Sequence, residues 1–201
     1  MTTGPASLLE RFCVKFYAAD PGPLDLGDAI AVFHRWIQSS RLAGLLIDVV
    51  DYRHVPDGPA VALVGHEADY FLDLAEGPLG LLYNRKRLAQ GSNAERLRAA
   101  LAATLDACCA LEAEPEFRRA GLKFDGGALR LILGDRLSTP NADETLVAIR
   151  PDLDAALAPL YPGSVPRIVR DVSDPRQRFT LHVETGRTVG AAELLARLRP
   201  A

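Results

Sequence analysis

Between residues 45 and 83 the chain passes through four short apolar stretches whose connections are too brief for a crossover. They are residues 45–52, 61–64, 70–73 and 79–83. Parallel strands need a connection of about a dozen residues or more. These connections are shorter, so the expected arrangement is an antiparallel meander. Turn chemistry supports it: in Val55-Pro56-Asp57-Gly58-Pro59 proline fixes φ and glycine accepts positive φ. Residues 61–64 are apolar on both faces, which suits an interior strand.

The elements around the meander follow from periodicity. Residues 12–18 are aromatic and β-branched and read as a first strand. Leu26, Ile30, Phe33 and Ile37 form one stripe of a helix over about residues 25–40. Ser92-Asn93-Ala94-Glu95 is a capping box, and Leu97, Leu101, Leu105, Cys108 and Leu111 follow it on one helical face. The first half therefore reads β-α-β-β-β-β-α. In the second half, Asp125-Gly126-Gly127 between two apolar runs signals a hairpin. Asn141 is placed to cap a third helix, which Pro151 ends or divides. A further hairpin surrounds Ser173-Asp174-Pro175, and Leu194, Leu195 and Leu198 close the chain on a short helix. The expected fold class is α+β: a mainly antiparallel sheet, helices packed on one face, and a smaller βαβ-type C-terminal part. One domain over residues 1–201 is expected, with a soft lobe boundary near 114–121.

Composition removes several classes of function. With 48% hydrophobic and 24% charged residues, the chain suits a folded core rather than disorder. Its net charge is −3 and its arginines are interspersed with acids. That argues against a phosphate-backbone partner, so no nucleic acid is expected. No apolar run approaches the roughly 18 residues that span a bilayer, and no signal-like stretch opens the sequence. The expectation is a cytoplasmic protein that does not enter a membrane. Cys108 and Cys109 are adjacent and cannot bridge without strain, so they read as small buried hydrophobes on a helix.

Candidate chemistry concentrates in residues 47–84. Histidine and carboxylate together could orient a ring and raise its basicity for acid–base work. The candidates are His54, Asp57 and Asp73, with Glu76, around two turns, and His66, Glu67 and Asp69, with Asp48 and Arg85, at the opposite end. At about 3.3 Å per residue the hairpin separates His54 from His66 by roughly 15 Å or more. No shared metal ion is therefore expected, and no cofactor is implied. There is no Gly-x-Ser-x-Gly elbow, phosphate loop or dinucleotide fingerprint. For ligand or partner binding the candidates are Trp36, Tyr52, Tyr70, Tyr83 and Arg85. Trp36 beside Arg35 could anchor an interface, although the apolar stripe of its helix also accounts for it as core.

Four segments carry a resemblance: residues 33–38 (FHRWIQ), 51–59 (DYRHVPDGP), 80–86 (GLLYNRK) and 140–144 (PNADE). Together they resemble an uncharacterised bacterial protein family over most of the chain. The resemblance implies one whole-chain domain of bacterial type and carries no activity, cofactor or catalytic residue. The expectation for function is a non-catalytic binding or assembly protein, acting on a protein partner or by self-association. The alternative is a small hydrolase or isomerase that uses His54 or His66 with a nearby carboxylate.

Overall fold

Along the first strand Phe12, Val14 and Phe16 alternate with Cys13, Lys15 and Tyr17, and this alternation sets the layering of the molecule. The computed structural model describes residues 9–198 except Pro21, Asp57 and Glu76. Among these residues the first half contains β1 (Phe12–Ala18), α1 (Asp28–Ser39), β2 (Leu46–Asp51), β3 (Val61–Gly65), β4 (Ala68–Asp73), β5 (Gly80–Arg85) and α2 (Asn93–Ala113). The second half contains α3 (Pro115–Arg119), β6 (Phe124–Leu133), α4 (Asp143–Leu157), β7 (Arg167–Arg170), β8 (Thr180–Glu184) and α5 (Ala191–Leu198). The expected β-α-β-β-β-β-α order of the first half is the order observed.

The strands form one antiparallel sheet in the order β2-β3-β4-β5-β1-β6-β8-β7, which makes the molecule α+β. β1 lies between β5 and β6 and joins the meander to the strands of the second half. One sheet face carries Phe12, Val14, Phe16, Leu63, Leu72, Leu81, Leu131 and Leu181 into a core shared with the helices. Phe33 and Trp36 of α1, Leu97, Leu101 and Leu105 of α2, and Leu153 and Leu194 complete it. Burying each such side chain contributes about 1.5–3 kcal/mol. The capping box of α2 forms as expected: the Ser92 hydroxyl accepts from the Glu95 amide, and Glu95 accepts from the Ser92 amide. No helix among the described residues is long and apolar enough to cross a membrane.

The second sheet face is mixed. One row of cross-strand neighbours runs Val50, Ala62, Phe71, Leu82, Lys15, Arg130, His182, Val169. Lys15 sits in the middle of it, only 1% exposed. Its ammonium donates to Asp73, two strands away, at 2.6 Å and to the Ala75 carbonyl at 3.2 Å. Gly80 of the intervening strand makes this reach possible. A Cβ there would lie 2.6 Å from Lys15 Cε and 2.5 Å from the Phe16 carbonyl oxygen.

Three sequence expectations change in the second half. Asp125-Gly126-Gly127 does not turn; it lies inside the continuous strand β6, at a register shift against β1. Neither glycine has positive φ. A Cβ on Gly127 would collide with the Arg187 carbonyl, and one on Gly126 with Leu194, so close approach of the 187–194 segment requires them. Asn141 does not cap α4. Its amide donates to the carbonyls of Asp171 and Asp174 and its oxygen accepts from Arg170, which fastens the β7–β8 loop. Pro151 lies within α4, which runs on to Leu157.

Candidate functional site

A cleft of about 170 Å³ lies between the core face of the sheet, the first half of α2 and the connection from α1 to β2. Its floor follows from register. Tyr70 is paired with Tyr83, and Ala68 with Arg85, on successive core-facing rungs of β4 and β5. Its wall follows from side-chain size. Arg96, Ala99, Ala100 and Ala103 recur at three- and four-residue steps, so they share one face of α2. The alanines stop at Cβ and leave a gap that the leucines of the neighbouring face would fill. Leu9, Phe12 and Leu46 supply further apolar lining.

The polar groups of the cleft are held by their surroundings. The Tyr70 and Tyr83 rings meet edge to face, with centroids 5.3 Å apart and planes at 71°. Both residues are 4% exposed, and burial raises both phenols above their ordinary pKa, that of Tyr70 strongly. Each therefore stays a hydroxyl through the neutral range. The Tyr70 hydroxyl makes no hydrogen bond to a described residue. Arg85 donates from Nε to the Arg87 carbonyl at 2.7 Å. Its Nη1 lies 3.4 Å from the Tyr83 hydroxyl and 3.3 Å from a Glu67 carboxylate oxygen. The Arg85 side chain is 17% exposed and that of Glu67 54%, so this pair stands at the rim with the carboxylate on the solvent side. Such an arrangement can hold a small partly apolar molecule and donate hydrogen bonds to its polar end.

Of the binding candidates, the structure brings together Tyr70, Tyr83 and Arg85, with Glu67 beside them. Tyr52 follows β2 at the opposite end of the meander and does not line the cleft. Trp36 is corrected to a core residue: it is 2% exposed, packs on Phe33 and donates its indole N–H to Glu114 at 2.6 Å. The acid–base candidates are dispersed. His54 and His66 are both exposed, beyond opposite ends of the β2–β3 pair, and neither ring hydrogen-bonds to a described residue. Asp69 and Asp73 project from the other sheet face. Lys86 pairs with Asp69 at 2.7 Å, and Lys15 with Asp73. Asp57 and Glu76 lie outside the described residues. Cys108 is fully buried on α2, and burial pushes its thiol pKa up, away from a nucleophilic thiolate. No group of three or more metal-ligating side chains occurs among the described residues.

Sequence reasoning missed three features. Lys15 was visible as a lone charge within an apolar strand. Arg96 and the alanines at 99, 100 and 103 were visible as a small-residue face beside the leucine stripe of α2. The pairing of Tyr70 with Tyr83 needed the register of β4 on β5, which no local signal supplies. No protein-family model, curated protein or solved structure matches the chain.

Proposed function

We propose that this is a non-catalytic cytoplasmic binding protein whose ligand is a small molecule taken into the Tyr70–Tyr83–Arg85 cleft. The observation that carries the reading is Tyr70: a residue 4% exposed that lines the cleft and whose hydroxyl makes no hydrogen bond to any described residue. The ring is packed away while the hydroxyl opens into the cleft, so it can donate to an occupant without first breaking a bond within the protein. The alanine face of α2 supports the same reading, since it keeps open a space that larger side chains would close. The hydrolase or isomerase alternative has less support, because its histidines face solvent and its described aspartates, Asp69 and Asp73, are engaged by lysines.

The test is ligand-observed and protein-observed NMR with a library of small aromatic and aliphatic compounds. Binders should shift the ring resonances of Tyr70 and Tyr83, and Ala103→Phe should abolish those shifts by filling the cleft. Binders that move neither ring, or that act equally on Ala103→Phe, would remove the cleft from consideration.

A further inference from the structure

We infer that the ligand of this cleft is a small organic monocarboxylate whose apolar body is about the size of one ring. This inference rests on the cleft reading above and adds the chemistry of the occupant.

Size comes first. A cleft of about 170 Å³ compares with an apolar cavity of about 150 Å³ that accepts benzene. A six-membered ring or a short branched chain fits; a nucleotide or a disaccharide does not. Leu9, Phe12 and the alanines of α2 offer the body an apolar wall.

Charge comes second. Arg85 faces the cleft with its side chain only 17% exposed. Its Nε and Nη1 have partners among the described residues, while Nη2 makes no hydrogen bond to them. An entrant that displaces water from this guanidinium costs free energy unless it brings a negative charge. A carboxylate does so, and it matches the planar donor edge of arginine. The Tyr70 hydroxyl supplies a further donor from the adjacent rung of the sheet. Burial holds that phenol protonated, so it donates to an anion rather than repelling it.

Two cations, Arg85 and Arg96, and one carboxylate, Glu67, line the cleft, so a single negative charge balances it. Glu67 stands at the rim beside Arg85, and its repulsion grows with the charge of the entrant. A monoanion is therefore favoured over a phosphate dianion. An organic cation meets two guanidinium groups against one carboxylate and is disfavoured.

Titration of the full chain with benzoate and with benzamide, its neutral isostere, tests this by calorimetry and by the Tyr70 and Tyr83 resonances. Benzoate should bind at least about tenfold more tightly than benzamide, the effect of one charge-assisted hydrogen bond. Arg85→Met and Tyr70→Phe should each weaken benzoate by about tenfold, while Glu67→Gln should strengthen it by a few-fold. Glu67→Gln changes a half-exposed side chain, so it remains informative if Arg85→Met does not fold. Benzamide binding as tightly as benzoate, with no response to Glu67→Gln, overturns the carboxylate and leaves the cleft reading standing. Library compounds that shift the rings when benzoate does not would overturn the carboxylate in the same way. If nothing tested shifts the rings, both readings fall.

Discussion

Lys15 and Asp73 form an ion pair whose burial can be measured as a coupling energy. Their side chains are 1% and 6% exposed, and the charged atoms are 2.6 Å apart. With an effective dielectric constant of about 20, the attraction at that distance is roughly 6 kcal/mol, before desolvation of both ions is subtracted. The net value of the pair is therefore small, but removing one partner strands the other. Asp73→Asn leaves the ammonium among Leu82, Tyr17 and the Ala75 carbonyl and should cost about 3–5 kcal/mol. Lys15→Met leaves a carboxylate whose remaining partner among the described residues is the Ala75 amide at 3.2 Å, and its cost should be of the same order. The double variant should cost less than the sum of the two, by a coupling of about 2–3 kcal/mol. In a chain of this length each single variant lowers the melting temperature by roughly 6–20 °C. Urea unfolding of the four proteins, with m-values compared, is the assay. Single costs below about 1 kcal/mol that simply add are the behaviour of an exposed pair and would refute the burial argument.

Other perturbations probe other parts of the fold. Gly80→Ala pushes a Cβ against the Lys15 stem and the Phe16 carbonyl, and calorimetry should show a loss of about 1–3 kcal/mol, part of it relieved in a Lys15→Ala background. Gly127→Ala should cost at least as much, through collision with Arg187; a neutral result would restore the turn assignment. Ser92→Ala removes one half of the α2 capping box and should cost about 1 kcal/mol in urea titration. The Asp51 carboxyl is held down to about 2, from an ordinary 3.8, first by the Arg53 guanidinium and then by the Arg53 amide. Because the folded value is depressed, this contribution is present above about pH 4 and lost as pH falls towards 2. Asp51→Asn should therefore lower the melting temperature at pH 6 and lower it much less at pH 2.

What could be read in the sequence was what neighbouring residues decide. The meander followed from connection length, and the start of α2 from a reciprocal pair three residues apart. Asp125-Gly126-Gly127 misled because glycine serves both positive φ and close approach. Only the 187–194 segment, distant in sequence, shows that the second applies. Asn141 misled in the same way: its amide answers carbonyls thirty residues away rather than the adjacent helix. In the candidate region, strand arithmetic separated two ends of the meander correctly, but it could not separate two faces. Register sets Arg85 and the tyrosines on one side and Asp69 and Asp73 on the other. That division takes the aspartates out of the cleft.

The place of β1 in the sheet has a consequence for how the chain folds. Phe12 pairs with Arg85 on one side and with Leu133 on the other, although strands β2 to β4 intervene in sequence. The meander can close through short loops, but β1 must wait for distant partners on both edges. During synthesis it stays an unpaired apolar strand until β5 emerges, and half-paired until β6 does. Such late, non-local pairing slows folding and leaves an intermediate open to association. Dilution, and temperatures that slow aggregation more than folding, should therefore raise the yield of refolded protein.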